Sequence, residues 1–169
     1  MFGEVDGLDV QLVYYRGIDQ FVASPWCSNS QALASAMSRV ECRAGHTQIA
    51  KVLRHAHKEN AYEKIAAVVL ISDASEEISA DLYAEAHELN VPVFMFQEGA
   101  NDRVTAIYKK ISDVTGGAYS KFDTKAARRL ADLLNAVAVF STGGVKALTA
   151  RKTAAAKLLL AQIQKKQIA

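Results

Sequence analysis

Asp73 is the residue of this sequence best placed to do chemistry. It closes an apolar run, Ile65 to Ile71, that is rich in β-branched residues. Such a run suits a strand buried on both faces of a parallel sheet. Ser72, Asp73, Ala74 and Ser75 end the run, and Glu76 and Glu77 supply the acidic first turn of a predicted helix. A carboxylate is thus expected at the carboxyl end of a central strand, where open α/β sheets place their ligands. Metal-dependent hydrolysis or phosphoryl transfer through Asp73 needs a second carboxylate, for which Glu76, Glu77 and Glu98 are the plausible donors.

Other constellations are weaker. Ser72 and Asp73 with His46 have the residue types of a nucleophile, acid and base, but no G-x-S-x-G elbow accompanies them. His55 and His57 lie two apart on a predicted helix, hence on different faces, and do not make a ligand pair. Cys27 and Cys42 form no C-x-x-C pair or zinc spacing and read as reduced thiols. Gly116-Gly117 and Gly143-Gly144 read as helix stops, since neither G-x-G-x-x-G nor a P-loop is present.

The elements that must position these residues alternate along the chain. Leu8 to Tyr15 and Gln20 to Trp26 read as a hairpin whose second strand, carrying Pro25, lies at a sheet edge. Ser28, Asn29 or Ser30 can cap a helix running to about Val40, and Thr47 opens another with Ile49, Val52, Leu53 and Ala56 facing inward. After the Ile65–Ser72 strand come a helix from about Glu76 to Leu89 and a second apolar strand, Val91 to Gln97. A helix Asp102–Val114 and a short strand Ala118–Phe122 follow. A helix capped by Asp123 or Thr124 then continues to about Phe140. The class is α/β, doubly wound, with a mostly parallel sheet, an antiparallel edge strand and an added C-terminal helix. Residues 1–142 read as the α/β domain and 143–169 as a basic amphipathic helix. Its Leu148, Leu159 and Ile163 need a covering surface, and its Lys152, Lys157, Lys165 and Lys166 carry charge.

At 169 residues and net charge +2 the chain has the size of one ordered domain. The charge is uneven: Lys121 to Ala169 holds ten Lys/Arg against two Asp/Glu. A solvated face is the favoured reading of that basic third, ahead of a nucleic-acid surface. No apolar run approaches the ~18 residues of a membrane span. The opening MFGEVDGLDV lacks the pattern of a signal peptide. A cytoplasmic address without a membrane partner is the expectation.

Three segments in order, AGHTQIAKVL (44–53), VVLISDASEE (68–77) and VPVFMFQEG followed by ISDVTGGAYSKFD, give the chain a resemblance to von Willebrand factor A-type domains over roughly residues 8 to 140. Such domains commonly hold a divalent cation at the strand carboxyl ends. The resemblance implies Thr47 and Asp73 as candidate metal ligands, for Mg²⁺ or Mn²⁺, because hydroxyl and carboxylate oxygens are hard ligands. The family's Asp-x-Ser-x-Ser motif is missing, as are the strand and helix that carry it. The resemblance therefore implies an incomplete metal site and a gap between the Leu8–Tyr15 and Ile65–Ser72 strands. The leading expectation is a non-enzymatic protein-interaction module, homo-oligomeric through exposed strand edges or its C-terminal helix. The alternatives are the Asp73 hydrolase or phosphotransferase, and an adaptor that binds an anionic partner through the basic helix.

Overall fold

A computed structural model describes residues 8–41, 45–123 and 127–167, with side chains up to residue 164. Cys42, Ala44 and Thr124 lie outside the described residues. Two strands come first, β1 (Val10–Arg16) and β2 (Gln20–Cys27), then α1 (Ser30–Ser38) and α2 (Ile49–Tyr62). Strands then alternate with helices: β3 (Val68–Ser72), α3 (Ser79–Leu89), β4 (Val93–Glu98), α4 (Asp102–Val114), β5 (Tyr119–Phe122), α5 (Ala127–Ala150) and α6 (Ala154–Gln167). The protein is mixed α/β, with a parallel sheet in the order β3-β4-β5 and a separate antiparallel hairpin β1-β2.

The parallel sheet follows directly from sequence pattern. Residues Val93 to Gln97 of β4 are all buried, as a central strand with helices on both faces requires. Leu70, Val93 and Met95 pack on one face with side chains of α2, α3 and α4, among them Leu53, Leu82 and Ile111. Phe94 and Phe96 point to the other face, against Leu133 of α5 and Leu159 of α6. Asn101 caps α4 by accepting from Arg103 N and Val104 N. At the far end of α4, Gly116 takes a φ of 74° and a Cβ on Gly117 would strike the Val93 carbonyl. The predicted Gly-Gly stop is therefore required by both backbone conformation and space.

The single mostly parallel sheet expected from sequence divides in two. Among the described residues β1 forms a ladder only with β2, and β3 only with β4. The hairpin is held instead by α2, whose Lys51, His55 and Glu59 recur every four residues on one face. Lys51 pairs with Asp19, His55 Nε2 meets Gln11 Oε1 at 2.7 Å and Phe21 edge-on, and Glu59 accepts from Trp26 Nε1 at 3.1 Å. The opposite side of α2, with Ile49, Leu53 and Ala56, belongs to the core of the parallel sheet. One helix thus fastens two sheets that share no ladder.

The C-terminal third also departs from expectation. Gly144, with φ 62°, kinks α5 as the sequence predicts, but a helix unbroken from Val145 to the end does not form. Residues 151–153 interrupt it, and Thr153 Oγ1 starts α6 by accepting from Ala156 N at 3.2 Å. The interruption lets α6 pack beside α5, which buries Leu148, Leu159 and Ile163 with Phe94 and Phe96. The surface that covers the leucine stripe is this domain itself. Among the described residues α5 is also the one helix long and apolar enough to cross a membrane by length and composition.

α6 does a second thing. Gln162 Oε1 accepts from Tyr119 N, and its Nε2 donates to Tyr119 O, both at 2.9 Å. A side-chain amide thereby stands in for a neighbouring strand along the outer edge of β5.

Candidate functional site

The loop between β3 and α3 carries most of the residues that the sequence singles out. Helix α3 begins at Ser79, so Glu76 and Glu77 belong to this loop and not to a first helical turn. Their carboxylates point back at α2. Glu77 accepts from Ile49 N at 2.5 Å and from Ala50 N at 3.0 Å. These are the first two amides of α2, whose own N-cap residue, Gln48, makes no side-chain cap bond. The cap comes from another element, and a carboxylate suits the positive end of a helix.

Glu76 closes a reciprocal clasp. Its Oε2 accepts from Thr47 N at 2.8 Å and from Thr47 Oγ1 at 2.9 Å, while Glu76 N donates to Thr47 Oγ1 at 3.1 Å. Those bonds from the Thr47 backbone and side chain hold the Glu76 carboxyl below its usual range, with the nearby His46 adding to the effect.

Hydroxyls fix the other side of the loop. Tyr108 of α4 donates to Ala74 O at 2.6 Å, and Ser72 Oγ donates to the same carbonyl at 3.3 Å. Tyr15 Oη of β1 lies 3.3 Å from Ser72 Oγ. Burial pushes the Tyr15 and Tyr108 phenols up, and the neighbouring carboxylates push the same way. Both phenols therefore stay neutral, and Tyr108 is a donor. Gln48 and Ser75 are buried at this end of the sheet with their side-chain polar atoms unpaired.

Of the two cation ligands that the resemblance implies, Thr47 is buried and Asp73 is exposed. The Thr47 hydroxyl is taken by Glu76, and Glu77 is taken by α2. Asp73 is exposed, and no hydrogen bond or ion pair to it occurs among the described residues. Mg²⁺ usually takes one or two carboxylates plus substrate phosphates, so a lone Asp73 depends on such a phosphate to hold the ion. Among the described residues no three His, Cys, Asp or Glu gather where a metal could sit. Glu98 ends β4 and is partly exposed, His46 is exposed, and His55 is engaged by Gln11 and Phe21.

The residues that matter most here and escaped sequence reasoning are Tyr15 and Gln162. The one available signal for Gln162 is its place between Leu159 and Ile163 on a buried stripe. Comparison of the chain with family models, with curated proteins and with solved structures found no match.

Proposed function

We propose that the chain is a non-enzymatic protein-interaction module of von Willebrand A type, doubly wound in plan, working through the carboxyl ends and open edge of its parallel strands. The observation that carries this reading is the state of β3. A strand with the apolar sequence of a sheet interior, Val68–Ser72, stands at the margin of its sheet with Ile71 45% exposed. The engagement of Glu76 and Glu77 as loop clasp and helix cap supports it too, because it ties up two of the three carboxylates that hydrolysis or phosphoryl transfer at Asp73 could recruit. The basic C-terminal lysines do not enter the reading.

The test is selection of a displayed peptide library on the folded chain, followed by calorimetric titration of the selected segments in the presence of EDTA. Saturable one-to-one binding that survives the chelator is expected. A chain that selects no polypeptide but turns over a phosphoester, and loses that turnover with Asp73→Ala, is an enzyme instead.

A further inference from the structure

The separation of the two sheets is bounded by one contact. Tyr15 and Ser72 both sit on the α2 side of their strands, and their hydroxyls lie 3.3 Å apart. From covalent geometry a tyrosine reaches ~6.5 Å from its Cα and a serine ~2.4 Å. The Cα atoms of Tyr15 and Ser72 are therefore at most ~12 Å apart at the carboxyl end of the strands. Adjacent strands lie about 4.8 Å apart, so one strand between β1 and β3 needs about 9.6 Å and two need more than the tether allows.

The β3 edge is equipped for such a strand. Val68 N donates to Pro92 O at 2.9 Å, toward β4. Successive residues of a strand turn their amides to opposite edges, so the N–H groups of Val69 and Ile71 face the margin that, among the described residues, no strand occupies. The far margin of the same sheet, at Tyr119, is closed by the Gln162 amide. One edge is blocked and the other is left open.

The geometry points to a β-augmentation slot between β3 and β1 that takes a single extended, apolar segment of another polypeptide, about five residues long to match β3. This deepens the interaction-module reading and rests on it. The width decides the occupant. A strand already paired in a folded sheet brings its neighbours along, and the hairpin beside β3 leaves no room for them. A second folded copy of this chain is excluded on the same ground. A linear segment with both edges free fits, with α2 as the floor of the slot and Val69 and Ile71 lining the opposite face.

The probe is a synthetic octapeptide of alternating valine and threonine flanked by lysines, titrated onto the intact chain while amide exchange is followed by NMR. Saturable binding that slows exchange of the Val69 and Ile71 amides at least tenfold is expected. Ile71→Pro removes one of those N–H groups without touching the β3–β4 ladder, and should weaken binding at least tenfold. Should the proline variant not fold, Ile71→Lys, which charges the open edge, is read in its place with the same expectation. No binding of the probe, unchanged affinity in the folded variant, or exchange protection of the two amides in the free chain overturns the slot. So does a dimer whose interface protects them. If the probe binds and protects another surface, the slot falls and the interaction module stands; a library that selects nothing removes both.

Discussion

The Thr47 hydroxyl donates to the Glu76 carboxylate and accepts from the Glu76 amide, so one side chain fixes both ends of a residue in another loop. Thr47→Val keeps the shape and loses both bonds. Water reaches the exposed Glu76, so the loss should sit near the low end for charge-assisted bonds, about 1 kcal/mol in urea unfolding at neutral pH. The clasp also has a pH signature. A carboxyl whose pKa is lowered in the folded state stabilises above its unfolded value and stops doing so as pH falls through the folded one. The contribution should be complete above about pH 4.5 and fade below it. Urea midpoints measured against pH should fall more steeply below that point in the parent chain than in Thr47→Val. An equal acid limb in the two proteins would show that Glu76 is not held by Thr47.

Helix α2 is the element on which the molecule turns, because its two faces belong to two sheets and its first turn is capped from a third place. Glu77→Ala removes the acceptor of the Ile49 and Ala50 amides and should cost about 1–2 kcal/mol. Glu77→Gln keeps one acceptor oxygen and should cost less. Circular dichroism melts of both variants check the order, and equal losses would mean that the carboxylate is not acting as the cap. The existence of α2, of the apolar strands β3 and β4, of α4 and of the Gly-Gly stop was legible in the sequence, because each rests on local pattern or backbone geometry. The role of Glu76 and Glu77 was not. Two acidic residues before a helical segment look like its own first turn, and only the fold reveals that they serve a helix begun 28 residues earlier. The break at 151–153 was hidden for a related reason: Arg151 and Lys152 are good helix formers, and tertiary packing of α6 overrides them.

At the scale of the whole molecule, the described strands form two sheets without a shared ladder. What no periodicity could foretell is which margins stay open, since that depends on side chains from distant helices. Gln162 decides it for β5. In the language of polymer chemistry, the parallel sheet is a monofunctional unit: it can react once, at β3, and its other end is already terminated. Such a unit ends a growing chain and cannot extend one. Gln162→Leu makes it bifunctional, orphaning the Tyr119 amide and carbonyl and giving the sheet two reactive ends. The variant should lose about 1–3 kcal/mol of stability for the groups left unpaired. It should also self-associate by pairing β5 edges of two copies, read by light scattering at concentrations where the parent chain does not. If Gln162→Leu associates no more than the parent at the same concentration, the glutamine is not what closes that edge, and some other feature of α6 terminates the sheet.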